Sequence, residues 1–463
     1  MTNSKTENQS ENQSENNSQS VEVQNKLGNK LENKLENQPK KLHFLGKIKQ
    51  IWEKMGPGLV TGASDDDPSG IATYSQAGSL FGLNTLWTAV FTFPLMTAIQ
   101  EMCGRIGLVQ RQGIIAVIKQ YYSKKLVYLV ALITVPACIL NIGANLAGMG
   151  AVANMLVPKV NSNIFSVIFG ILICISMVFL PYRKIEKTLK WSAFVLLVYL
   201  IVPFLVAQDW IGIIRSAAVP QIQFNKQFLT ILVAILGTTI SPYLFIWEAS
   251  MEKEQLLEQE RKHILPVQNH ENLHREIKSM QKENLFGMFF SNLIMFFIIL
   301  TAGTILFGKV GEIQTVDQAA RALEPIAGQY AYLLFAIGVI GTGFLAIPVL
   351  GGACAYILAD LFDFKGNINS KFREAPNFYL SLIVSILVGF LITLIGISPI
   401  DMLVGSSVIY GIVSPILILF LLFICNNAQI MGKFTNGKLA NTLGITCFVL
   451  MTVCAASLLF VGL

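Results

Sequence analysis

Residues 64–70 read Ser-Asp-Asp-Asp-Pro-Ser-Gly (SDDDPSG), lying between GPGLVTGA (56–63) and IATYSQAGSLFGL (71–83). On a soluble surface this would be an ordinary turn, but here both flanks are apolar enough to enter a lipid bilayer. An ionisable side chain at the centre of a membrane helix costs at least about 2.5–3.5 kcal/mol, so three carboxylates in a row mark a functional position. Pro68 removes an amide donor and its ring clashes with the carbonyl four residues back, while Ser69 and Gly70 resist unwinding little. The stretch therefore predicts two half-helices meeting near residues 67–70. Freed carbonyls at such a break face a cavity, the only setting in which irregular backbone is tolerated at that depth.

Composition supports a membrane setting. The chain has 463 residues, 53% hydrophobic and 13% charged, whereas soluble chains carry about a quarter charged residues. Runs of about 20 apolar residues recur, each long enough to cross roughly 30 Å of hydrocarbon. They predict eleven spans, near 56–82, 85–107, 126–157, 163–181, 190–208, 228–249, 284–307, 331–360, 377–397, 402–425 and 440–462. Backbone polar groups in lipid must pair within the segment, so these are helices and the fold class is all-α. A β-barrel would show alternating segments of about ten residues instead.

Lys and Arg set the orientation. With the N-terminus cytoplasmic, only Lys159, Arg215, Lys226, Lys309 and Arg321 fall outside, and every other basic residue falls inside, as the positive-inside rule expects. An odd number of spans then leaves the C-terminus outside, in a multi-pass plasma-membrane protein. The net charge of +6 reflects insertion and anionic lipid, with no nucleic-acid partner implied. Residues 1–45 are repetitive and polar, so a disordered tail is expected ahead of a membrane domain at 46–463. No apolar secretory signal opens the chain. The polar stretch 251–283 reads as a solvated amphipathic connector. Its His263, His270 and His274 match no zinc spacing. The seven cysteines lie in or at the ends of spans and suggest packing, with no disulfide framework.

Other intramembrane charges are few: Glu101 and Arg105 in span 2, Glu248 late in span 6 and Asp360 near the end of span 8. Span 6 repeats the pattern of span 1, since LGTTISPYLFIW places Thr238, Thr239, Ser241 and Pro242 inside an apolar run. Two interrupted helices five spans apart are the mark of an inverted-repeat transporter whose substrate site lies at the midplane. Carboxylates, carbonyls and hydroxyls make a hard oxygen site suited to Mg²⁺, Ca²⁺ or Mn²⁺. No membrane-embedded nucleophile, base and orienting residue stand out, so nothing points to an enzyme, and no cofactor is implied beyond the transported ion. The residues themselves lead to a cation transporter.

Gly56-Pro57-Gly58, then Asp67-Pro68-Ser69-Gly70, then Gln76-Ala77-Gly78, resemble the first helix of the NRAMP family of divalent metal transporters, in which an Asp-Pro-Gly-Asn motif breaks helix 1. Gln100 and Arg105-x-Gly107 at the end of span 2 fit the same resemblance. It implies a LeuT-like fold with two inverted five-helix repeats, about 56–208 and 228–425, plus an extra helix at 440–462. It implies further that a metal is held by the Asp and Asn of helix 1 and by a Met sulfur and a carbonyl of helix 6. Those positions are Asp67, Gly70, Ser241 and Thr238 here.

Two of the four depart from the family pattern. Losing a thioether removes discrimination against hard ions, and glycine in place of asparagine enlarges the site for Mg²⁺, which keeps several waters. The chain is in this respect similar to the NRAMP-related magnesium transporter branch, which implies Mg²⁺ and Mn²⁺ as cargo. The family's helix 3 acid pair falls at Asn145 and Gly148 and its two helix 6 histidines at Tyr243 and Glu248. A proton relay needs titratable groups along its path, so transport without proton symport is expected. Asp65 and Asp66 lie about 200° and 100° around a helix from Asp67. Asp66 is read either as holding water of a hydrated ion or as a cap, and Asp65 as a structural partner. Tyr243 stands beside the site as a supporting residue. Proton-coupled Mn²⁺/Fe²⁺ symport and Na⁺-coupled amino-acid transport remain as alternatives, and the oligomeric state is not indicated.

Overall fold

Both proline-broken segments begin their second half with the proline itself, because a first helical residue has no intrahelical use for an amide hydrogen. In the computed structural model, which describes residues 61–62, 64–180, 182, 184–185, 194–206, 209–261 and 270–462, α1 starts at Pro68 (Pro68–Phe81) and α9 starts at Pro242 (Pro242–Arg261). The expected disordered tail at 1–45, Gly56–Gly58, the start of span 5 and His263 lie outside the described residues.

Every regular element among the described residues is a helix. After α1 come α2 (Trp87–Gln110), α3 (Ile114–Tyr121), α4 (Lys124–Leu156), α5 (Ser162–Phe179), α6 (Val198–Val206), α7 (Trp210–Ala218) and α8 (Lys226–Thr239). Beyond α9 follow α10 (His270–Ile305), α11 (Ala331–Phe362), α12 (Pro376–Thr393), α13 (Pro399–Asn426) and α14 (Lys438–Gly462). Eight described segments are long and apolar enough to cross a membrane. They correspond to spans 3, 4, 6, 7, 8, 9, 10 and 11. Span 1 is present as its second half α1, span 2 as α2 and span 5 as the short helix around α6.

All described residues fall in one unit, Gly56–Leu463. Its centre is built by α1, α4, α8, α10, α11 and α13: α11 and α13 pack on α4, α13 on α8, and α10 on α1. Close approach needs missing side chains. A Cβ on Gly237 of α8 would overlap the backbone of Ser407 and Gly411 on α13, so both helices meet backbone to backbone. Five of the seven cysteines are buried in this packing and two are partly so.

The expectation of a solvated connector at 251–283 is corrected. Helix α9 runs on to Arg261 and α10 begins at His270, with Leu256, Ile277 and Met280 packed around Leu108. The Glu-, Gln- and Lys-rich sequence is a strong helix former, and its few apolar residues give it a face to bury. His274 lies against the Phe434 ring, 6.5 Å between centroids.

Candidate cation site at the two helix breaks

The break in span 1 falls at Asp66–Asp67, slightly earlier than the 67–70 expected. Ser64 and Asp65 are still helical, Asp66 is a bend, and Asp67 is extended (φ −71°, ψ 170°) as the N-cap of α1. The reason is local. Aspartate is among the best N-caps and Pro68 fits the next position, so Ser69 and Gly70 are free to be helical.

Asp67 is fully engaged with the protein. Its Oδ1 accepts from Gly70 N (2.8 Å) and Ser69 Oγ (2.6 Å). Its Oδ2 accepts from Asn145 Nδ2 (2.8 Å) and Asn141 Nδ2 (3.1 Å) of α4. Asn145 Oδ1 also takes the Ser69 amide at 3.2 Å, and Asn141 Oδ1 takes the Ser406 hydroxyl at 3.1 Å. Four donors thus converge on one buried carboxylate, none of them a cationic side chain.

Asp65 and Asp66 are different. Both are fully buried and share one hydroxyl: Ser291 Oγ of α10 lies 2.6 Å from Asp65 Oδ2 and 3.3 Å from Asp66 Oδ1. Asp65 Oδ1 and Asp66 Oδ2 have no hydrogen-bond partner. No Lys or Arg among the described residues forms an ion pair with any of the three aspartates. A buried charge is tolerated only when paired or bound to a metal.

The break in span 6 carries hydroxyls instead. Helix α8 ends at Thr239, Ile240 (φ −114°, ψ 68°) leaves the helix, and α9 resumes at Pro242. Ser241 Oγ turns back to the carbonyls of Gly237 (3.0 Å) and Thr238 (2.5 Å), and Ser414 Oγ of α13 donates to the Ile240 carbonyl (2.7 Å). These are the carbonyls that a helix end leaves without partners.

The two breaks meet. A Cβ at Gly70 would sit 3.3 Å from Thr238 Oγ1, 3.3 Å from the Asp65 carbonyl and 3.4 Å from the Tyr74 ring. Glycine here therefore lets Thr238 approach the aspartates; the enlarged space expected from its missing side chain is filled by those groups. Tyr243 OH donates to the Ser64 carbonyl at 2.9 Å, closing the first half-helix of span 1. One layer further, Tyr74 OH lies 3.1 Å from Thr239 Oγ1, which donates to Met295 Sδ at 3.6 Å. Among the described residues no three His, Cys, Asp or Glu side chains are placed to cage an ion alone, so a bound cation needs the neutral oxygens or its own water.

Asp67, Gly70, Thr238 and Ser241 are thus brought into one chain of contacts, with Asp66 and Tyr243 adjoining. Gly148 is elsewhere: its Cβ position faces Leu403 at 3.0 Å, a packing contact with α13. Glu248 is also apart, on α9 beyond the break, accepting from Thr61 Oγ1 at 2.5 Å. The sequence reading missed Asn141, Ser291 and Ser406. Asn141 was findable, since it stands one helical turn from Asn145 on the same face. A lone serine in a long apolar run carries no such signal.

With this geometry in place, comparison with known proteins is decisive. The family model described as natural resistance-associated macrophage protein-like, Nramp, matches residues 58–461. The chain belongs to the Nramp family. Two relatives are called divalent metal cation transporter MntH. That of Granulibacter bethesdensis is 22% identical over 386 residues, covering 83% of this chain and 82% of its own. That of Klebsiella pneumoniae (strain 342) is 24% identical over 399 residues, covering 84% and 89%. Among solved structures, the manganese transporter of Eremococcus coleocola superposes with a TM-score of 0.71 at 16% identity, covering 88% of this chain and 86% of that one. The transporter MhsT superposes at 0.58 with 11% identity, covering 88% and 98%. This Nramp protein therefore has the all-α LeuT-like membrane fold that the family resemblance implied.

Proposed function

We propose that this Nramp protein is a secondary transporter of divalent metal cations that carries Mg²⁺ and Mn²⁺ by alternating access and without proton symport. The observation that carries the reading is the chemistry of the paired breaks: three buried carboxylates on one, hydroxyls and carbonyls on the other, and no Lys or Arg among the described residues ion-paired with the carboxylates. That donor set is hard and suits Mg²⁺, Ca²⁺ and Mn²⁺; the departures at Gly70 and Ser241, shared with the magnesium transporter branch that the chain resembles, point within it to Mg²⁺ and Mn²⁺. The relatives named as divalent metal and manganese transporters support the cargo class.

In this reading the metal sits between Asp67 with Asp66 and the oxygens of Thr238 and Ser241. Binding needs Asp67 Oδ2 to exchange an amide for the ion, or the ion to keep water between them. Ser241 supports hard selectivity because its hydroxyl already touches the Thr238 carbonyl, where a thioether would be soft. Asn145 supports the uncoupled mechanism. It donates to Asp67 from the position where family members carry an acid, so the carboxylate is held by neutral amides and no second titratable group stands beside it on α4. The repeats would run over about 56–208 and 228–425, with 440–462 as the extra helix.

A second reading, Mn²⁺ transport with protons, draws on Glu248, which is buried with Oε1 lacking a partner. Uptake by proteoliposomes loaded with a Mg²⁺ reporter and a pH dye separates the two. Mg²⁺ and Mn²⁺ entry at constant internal pH is expected. Acidification that tracks Mn²⁺ entry would replace the first reading with the second, and Na⁺-dependent amino-acid uptake would refute both.

A further inference from the structure

Seven residues before Ser291 on α10, about 10 Å along the helix axis, Asn284 faces a second acidic group that the transport site does not use. Glu248 and Glu252 stand one turn apart on α9, with 0% and 3% exposure. Glu248 Oε2 takes the Thr61 hydroxyl, and Glu248 also meets the Asn284 side chain. Glu248 Oε1 and Glu252 Oε1 have no hydrogen-bond partner. The carboxylates of Glu248, Glu283 and Glu276 all bear on Glu252 electrostatically.

Asn284 is the independent sign of a ligand. It is fully buried, its Nδ2 lies 3.3 Å from Met280 Sδ, and its Oδ1 has no partner. An amide oxygen buried without a donor is left with an uncompensated desolvation cost. A cation fills such a space; another acceptor worsens it. Among the described residues no Lys or Arg forms an ion pair with Glu248 or Glu252.

The two acidic layers share one groove. Thr61 reaches Glu248, Gly62 lies against Gly287, and Asp65 takes the Ser291 hydroxyl. The described residues Thr61, Gly62 and Asp65 thus follow one another past Glu248, Gly287 and Ser291. A Cβ on Gly62 would overlap the Gly287 backbone, and this seam separates the layers.

We propose that Glu248, Glu252 and the Asn284 amide oxygen form a second divalent-cation site, on the inner side of the transport site, that holds the ion with part of its water shell. Two carboxylates and one amide oxygen leave about half of an octahedral shell to water, consistent with the absence of a direct three-acid cage among the described residues. The proposal rests on the reading of the chain as a divalent-cation carrier and adds a site to it.

The test is Mn²⁺ bound per chain, read by electron paramagnetic resonance during MnCl₂ titration of the purified full-length protein in detergent. The wild type is expected to bind two Mn²⁺, both displaced by excess Mg²⁺. Glu252→Gln and, separately, Asn284→Ala should each bind one, with unchanged elution profile and melting temperature. Asp67→Ala should lose the other and keep the inner one. A single Mn²⁺ in the wild type overturns the proposal without recourse to any variant, as do two retained in folded Glu252→Gln and Asn284→Ala. If Asp67→Ala still binds two while Glu252→Gln binds one, the transport-site assignment fails and the inner site stands.

Discussion

The two helix breaks use the same backbone device with opposite chemistry. At both, a proline opens the second half-helix and a short non-helical step separates it from the first. In span 1 the cap is a carboxylate with two more beside it; in span 6 the freed carbonyls are tied by the hydroxyls of Ser241 and Ser414. One break supplies carboxylate oxygens, and the other supplies neutral hydroxyl and carbonyl oxygens. Under the proposed function, this pairing sets acidic and neutral oxygens on opposite sides of one ion.

The strongest way to break this comparison is to remove the charge. Asp67→Ala is expected to abolish Mg²⁺ and Mn²⁺ uptake in proteoliposomes, and undiminished uptake would transfer the ion to Asp65 and Asp66. Next in size is Asn145→Asp, which sets a carboxylate 2.8 Å from Asp67 in place of a donor. Like charges at that distance disfavour joint ionisation, so uptake at neutral pH should fall about tenfold, equivalent to about 1.4 kcal/mol. It should recover as pH drops and the added acid becomes a donor; a flat pH profile would show that Asn145 acts only by its shape.

Smaller effects come from the neutral break. Ser241→Met should shift competition in Mn²⁺ uptake several-fold toward softer metals such as Cd²⁺, because a thioether replaces a hydroxyl beside the Thr238 carbonyl; an unchanged ranking would place selectivity elsewhere. Ser414→Ala removes the donor to the Ile240 carbonyl and should cost about 1 kcal/mol, seen as a modest drop in melting temperature with metal preference unaltered.

Why the span 1 break could be read from sequence, and its partners could not, is a matter of signal. Three aspartates and a proline in an apolar run are a cost that only a site repays, and Pro242 with its hydroxyl neighbours repeats the pattern. Thr238 and Ser241 were legible for that reason, and the structure brings Thr238 to Gly70 with Ser241 bonded behind it. The placement of the break was less legible, because Asp67 competes as a cap with the unwinding tendency of Ser69-Gly70, and capping wins. Ser291 and Asn284 come from α10, whose register against span 1 depends on tertiary packing. A single Ser or Asn in a 20-residue apolar helix has no local pattern to announce a partner about 200 residues away. The connector 251–283 misled for the converse reason: its charges suggested solvent, while Glu252 and Glu254 are buried in a helix.

The Gly62–Gly287 seam has a mechanical consequence. Two bare backbones in contact offer no rotamer to absorb an error, so this closure has a tolerance of tenths of an ångström, far tighter than a side-chain plug would give. A single methyl group at residue 62 would then act as a wedge, prising residue 62 from Gly287 of α10 while leaving every oxygen of both acidic layers chemically intact.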